Sequence, residues 1–185
     1  GHINLLKCGV LYADKINAVS PNYASELLTH LGAHGMASVF QQRASDLRGI
    51  LNGCDYQDWD PAFDPLLPAT YDADHLAGKH TCKRALQQET GLPVGNLPIY
   101  GMVCRLTEQK GVHLLSPALD KFLQHQVQVV IVGSGDPSLA AQLQATAQRY
   151  PDKLAFLNTY DDRLAHLVEA GADFFLMPSL FEPCG

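Results

Sequence analysis

Apolar and polar positions follow two different patterns along the chain. In the first fifty residues the pattern is mixed. Residues 3–13 crowd apolar side chains as a short buried helix does, and residues 15–19 read as a brief strand. Ser20-Pro21 has the form of a helix start, with Ser as N-cap and Pro in the first turn. Tyr23, Leu27, Leu28 and Leu31 would share one face of that helix, and Gly32 would stop it. Residues 36–47 give a second, weaker helical run. Residues 49–51 then form a short apolar strand that enters the turn pair Asn52-Gly53.

From residue 99 the pattern becomes regular. Strands over 99–104, 127–132, 153–157 and 173–177 alternate with helices over 111–123, 137–149 and 161–170. Residues 127–132 and 174–177 are nearly unbroken apolar runs, which predicts strands covered on both faces. Strand-helix alternation at this spacing predicts βαβ units, hence an α/β fold built on a parallel sheet. Before it, residues 79–90 form an amphipathic helix with Cys82, Ala85 and Leu86 inward, ended by Gly91. Residues 55–74 are rich in Asp and Pro and offer little core, as a crossover between domains would. This divides the chain into the end of one domain (1–54), a crossover (55–75) and an incomplete second domain (76–185).

Composition narrows the function classes. With 185 residues, 46% of them apolar and 17% charged, the chain can bury a sizeable core. Thirteen Lys plus Arg against nineteen Asp plus Glu leave a net charge of −6, which argues against nucleic acid or an anionic membrane as partner. No apolar run approaches the roughly twenty residues that cross a bilayer. Five scattered cysteines (Cys8, Cys54, Cys82, Cys104, Cys184) without a CxxC pair point to a reducing interior, with no disulfide framework and no zinc site. His30 and His34 have no Cys or acidic motif beside them, so no metal is expected. The start has neither Met nor a signal-peptide pattern, and the last strand has barely ended when the chain stops. The sequence is expected to be an internal piece.

In open α/β sheets, ligands bind beyond the carboxyl ends of the strands. Four segments occupy that position. Arg105 and Lys110, five apart on a strand-to-helix turn, can converge on one anion; a solvated turn is the alternative. Gly133-Ser134-Gly135-Asp136-Pro137 permits close backbone approach, and serves equally as a tight turn. Tyr160 can stack on a nucleobase or simply pack. Glu182, in a Pro-bounded loop, can contact a ligand or face solvent.

Together these segments resemble one family. Residues 15–24, ending Val19-Ser20-Pro21-Asn22-Tyr23-Ala24, resemble the "TVSPxYA" segment of bacterial glycogen synthases and plant starch synthases. Residues 49–61 are similar to their "GIxNGIDxxxWNP" crossover, Arg105 to Gly111 to "RLTxQKG", Gly133 to Pro137 to "GSGDP", and Phe181 to Gly185 to "FEPCG". The order and spacing match over essentially the whole chain. The sequence departs from the family at Leu180, where Arg is usual, and at Thr159, Cys104, Cys54 and Asp60.

The resemblance implies a GT-B glycosyltransferase with two Rossmann-like domains facing a cleft. It would transfer glucose from ADP-glucose to the non-reducing end of an α-1,4-glucan with retention, without metal or other cofactor. It further implies that Arg105 and Lys110 hold the departing diphosphate, Tyr160 stacks on adenine and Asn52 lies near the nucleotide. Glu182 would contact the donor glucose, helped by Cys184 and the backbone N–H of Gly185. The expected location is the cytoplasm, or a plastid in a plant, and the piece alone is expected to be inactive. The alternatives are a non-catalytic nucleotide-binding fragment and a retaining GT-B transferase using UDP- or GDP-sugars.

Overall fold

A computed structural model describes residues 3–184 of the chain. It forms two compact units, one holding the chain up to Cys54 and again from Glu182, the other running from Asp55 to Phe181.

The first unit contains α1 (Leu5–Tyr12), β1 (Ile16–Val19), α2 (Pro21–Glu26), α3 (Ala37–Gln42), a 3-10 turn (Ala44–Asp46) and β2 (Leu47–Ile50). β1 and β2 pair in parallel, Ile16 opposite Leu47. Val10, Ala18, Leu27, Val39, Phe40 and Leu47 form its core. Ser20 caps α2, its Oγ accepting from the Tyr23 N–H at 3.1 Å. Arg43 donates to the carbonyls of Val10, Leu11 and Ala13, at 2.6–2.9 Å, and so satisfies the open C-terminal end of α1.

Three expectations change here. α1 is a surface helix: only Val10 is buried, while Leu5 and Leu6 are exposed. α2 ends at Glu26, not at Gly32, and Leu31 is 93% exposed. The Thr29 hydroxyl donates to Glu26 O at 2.7 Å and accepts from the Gly32 N–H at 3.2 Å, replacing helical bonds with a turn. Leu47 leaves the helical run and opens β2, because pairing with Ile16 buries it.

The second unit begins with a succession of turns. Asp55, Asp60, Asp64 and Asp72 each accept from the backbone N–H two residues on, at 2.8–3.0 Å. This segment is more than a tether, since Leu67 and Tyr71 pack on the core and Asp64 is buried. Then come α4 (Ala77–Thr90), β3 (Ile99–Val103), α5 (Val112–Phe122), β4 (Gln128–Val132), α6 (Pro137–Arg149), β5 (Leu154–Leu157), α7 (Asp162–Gly171) and β6 (Phe174–Phe175). The sheet is parallel throughout, in the order β5-β4-β3-β6.

Every residue of β4 is buried, as its branched run predicts. Val129 and Ile131 face a core made with α5 and α6, whereas Val130 and Val132 face one made with α4 and α7. β6 does not behave as its apolar run predicts. It pairs over two residues at the sheet edge, with Phe174 and Phe175 exposed by 53% and 41%. Tyr100 on β3 stacks on Phe174, with ring centroids 4.7 Å apart.

The chain runs β3, β4, β5 in one direction and then returns to place β6 on the other side of β3. That reversal is a topological switch point, which puts the crevice at the carboxyl ends of these strands.

Candidate functional site

The loop after β3 carries Arg105 and is fixed through its neighbour. Leu106 is fully buried, its N–H donates to Ser134 O at 2.9 Å, and its carbonyl accepts from the Asp136 N–H at 2.9 Å. The loops after β3 and β4 are thus joined by backbone bonds and leave Arg105 exposed beside them. A Cβ on Gly133 would lie 2.0 Å from Cys104 O, so only glycine fits there.

These loops and the one after β5 enclose a cavity of about 210 Å³. Arg105, Ser134, Thr159, Tyr160 and Asp161 line it, with Val103 and Val132 at its base. The structure therefore brings Arg105 and Tyr160 to one cavity. Tyr160 is 84% exposed, and the Asp162 carboxylate hydrogen-bonded to it holds the phenol above its ordinary pKa.

Lys110 lies on the turn that leads into α5, half-buried, and is not among the described residues bordering this cavity. The loop after β6 braces that turn. Leu180 N–H donates to Gln109 O at 2.9 Å, and Gln109 Nε2 donates to Phe181 O at 3.3 Å. Asn52 is exposed in the segment after β2. Glu182 and Cys184 are half-buried and count with the first unit. Gly185 lies outside the described residues.

The three helices that start at the carboxyl edge differ in their capping. Asp136 Oδ1 accepts from Ser138 and Leu139 at 2.7 and 3.1 Å, and Asp161 Oδ1 from Leu164 at 2.8 Å. Carboxylates thus already occupy the N-termini of α6 and α7. α5 starts from Gly111 with no side-chain cap, so no carboxylate stands at its N-terminus, and its Leu114 N–H donates to Gly111 O at 2.9 Å. Thr107 Oγ1 and His113 Nδ1, on either side of that start, are the buried side-chain polar atoms without a partner among the described residues.

Of the other wall residues, Ser134 lies in a segment read as open to close backbone approach and Thr159 is a departure from the family, whereas sequence reasoning did not single out Ala165. The available signal was their place just after adjacent strands. No cluster of three or more His, Cys, Asp or Glu suited to a metal occurs among the described residues, and no described helix is long and apolar enough to cross a membrane.

Parallel α/β units of this construction match the architecture of GT-B glycosyltransferases. The family model described as glycosyl transferases group 1 matches residues 84–185, more than half of the chain, and the chain belongs to that family.

Particular relatives sharpen the likeness. Residues 1–42 match the starch synthase catalytic domain model. The chain is 89% identical over its whole length to a glycogen synthase of Aeromonas salmonicida (strain A449), of which it covers 38%. It is 64% identical to a glycogen synthase of Vibrio parahaemolyticus, of which it covers 39%. Among solved structures, the catalytic domain of starch synthase IV from Arabidopsis thaliana, bound to ADP and acarbose, matches 99% of this chain with a TM-score of 0.93 at 36% identity. The match covers 38% of that structure. The chain therefore spans about two fifths of the length of the relatives it matches.

Proposed function

We propose that the chain is the central part of an ADP-glucose-dependent glucosyltransferase that lengthens α-1,4-glucans with retention. Arg105 and Lys110 neutralise the diphosphate as the glycosidic bond to the donor breaks. Tyr160 offers its ring to adenine, with Asn52 on the nucleotide side. Glu182 contacts the transferring glucose together with Cys184 and the Gly185 N–H. As the anomeric carbon gains oxocarbenium character, charge builds on the leaving oxygen. Fixed cations aimed at it supply the main stabilisation. The reading places the enzyme in the cytoplasm.

One observation carries this reading: a guanidinium and an exposed tyrosine border the same cavity at a switch point, in a chain 36% identical to a starch synthase solved with ADP. The uncapped start of α5 supports the placement of the diphosphate, since α6 and α7 present carboxylates there. Calorimetric titration with ADP tests it. Removing a charge-assisted contact costs about 1.5–3 kcal/mol, so Arg105→Ala is expected to weaken ADP binding by roughly ten- to a hundredfold. Equal affinity in Arg105→Ala and the unaltered chain would overturn the assignment.

A further inference from the structure

One buried pair of ionisable side chains in the second unit has no part in the chemistry above. Asp64 and His166, 102 residues apart, meet at 2.6 Å between Oδ2 and Nδ1, with side chains 5% and 7% exposed. Asp64 uses its other oxygen to hold the Leu66 N–H at 2.8 Å, so the carboxylate is engaged on both sides. With a carboxylate as partner, the imidazole Nδ1 is the donor. The indole of Trp59 lies over the ring, 3.8 Å between centroids and 16° from parallel. Segment 55–75 is thereby fastened to α7 at His166.

α7 is also the helix that borders the cavity. Asp161 caps it, and Ala165, the neighbour of His166, lines the wall. Asp162 and His166 are four apart and share one helix face, and Asp162 is the hydrogen-bond partner of Tyr160. Leu164, Leu167 and Val168 lie in the core made with α4 and the sheet, which holds the helix on another side.

We propose that His166 is a positioning residue for the cavity: fastened by Asp64 and Trp59, it fixes the first two turns of α7 and, through them, Tyr160, Asp161 and Ala165. The ligand expected to feel this rests on the ADP reading above, whereas the ordering of α7 does not. A buried donor or acceptor left without its partner is costly, so removing either one drives the segment and the helix start apart to let water reach the group left behind.

The test uses His166→Phe, which keeps a ring for Trp59 but removes the donor, and His166→Asn, whose amide can donate from the Nδ1 position. Both are assayed on the 185-residue chain at temperatures where circular dichroism shows it folded. His166→Phe is expected to weaken ADP binding about tenfold and to speed amide exchange at Leu164 and Ala165, with His166→Asn restoring most of both. Unchanged affinity and exchange in folded His166→Phe would overturn the proposal, as would an equal defect in His166→Asn. Should His166→Phe fail to fold, Trp59→Phe takes its place, with a loss of about threefold expected and none refuting. If the unaltered chain does not bind ADP, the functional reading falls, and exchange at Leu164 and Ala165 alone decides the role of His166.

Discussion

Gly111 is the position where the least added matter should do the most damage. It sits at φ +70° between the cation-bearing turn and α5, and a Cβ placed there would lie 1.9 Å from Pro178 O and 2.7 Å from its carbonyl carbon. Gly111→Ala therefore carries two costs. Holding Ala in the left-handed region costs about 1–2 kcal/mol. The collision is with backbone, so the loop after β6 must retreat by more than an ångström, which breaks the 2.9 Å bond from Leu180 N–H to Gln109 O, worth about 1 kcal/mol net. The sum is about 2–3 kcal/mol, a fall of roughly 8–12 °C in Tm for a unit of this size. Gly91 isolates the first cost. Its φ is +74°, yet nothing lies within 4 Å of its built Cβ, so Gly91→Ala should lose only about 1–2 kcal/mol. Trp59, the sole tryptophan, lies in the same unit and reports thermal unfolding by its fluorescence. Equal Tm values for the two variants would show that the Pro178 loop yields freely. An unchanged Tm in Gly111→Ala would refute the reasoning altogether.

Two further outcomes follow from single side chains. Cys82 is fully buried, its Sγ donates to Ala69 O at 3.2 Å, and burial pushes its pKa up, whereas Cys8 and Cys54 are exposed. A thiol reagent followed by peptide mapping should therefore label Cys8 and Cys54 rapidly and Cys82 only on unfolding; labelling of native Cys82 at the rate of Cys8 contradicts its burial. In the first unit, hydrogen bonds from Lys15 at 2.8 Å and from Arg43 hold the Asp46 carboxyl below its ordinary pKa. A depressed carboxyl stabilises above its unfolded value and loses that contribution as pH falls through the folded one. Asp46→Asn should thus lower the urea midpoint at pH 7 and converge on the unaltered chain below about pH 4; a gap that persists or widens at low pH has the wrong sign.

How much could be read in advance depended on whether the deciding partner was local. β4 announced itself, because five buried residues in a branched run need no distant information to be recognised as central. β6 carried the same apolar signal and came out short and exposed, because composition does not say what covers a strand. The Asp- and Pro-rich stretch was legible as irregular, and its Asx turns, each closing over two residues, account for that. Its attachment to α7 was not, because the bond that fixes it joins Asp64 to a histidine 102 positions away. The site divides in the same way. Arg105 and Tyr160 stood out as residue types at strand ends, but only the sheet order β5-β4-β3 brings their loops to one cavity.

Charge placement supports the position proposed for the diphosphate. A chain with a net charge of −6 cannot rely on its overall field to attract a nucleoside diphosphate, so attraction must be local. The three helix starts at the carboxyl edge would offer comparable partial positive charge if left bare. Asp136 and Asp161 occupy two of them, which both caps α6 and α7 and repels a second anion. The third, at α5, has glycine in place of a cap, and the loop that leads into it carries Arg105, Lys110 and the Thr107 hydroxyl, which has no partner among the described residues. Local capping, needed in any case for helix stability, thus leaves one start without a carboxylate to repel an incoming anion. On this argument, Asp136→Asn should keep the cap while easing repulsion, so calorimetric titration should show ADP binding at least as tightly as to the unaltered chain, and a weaker affinity in the folded variant would contradict it.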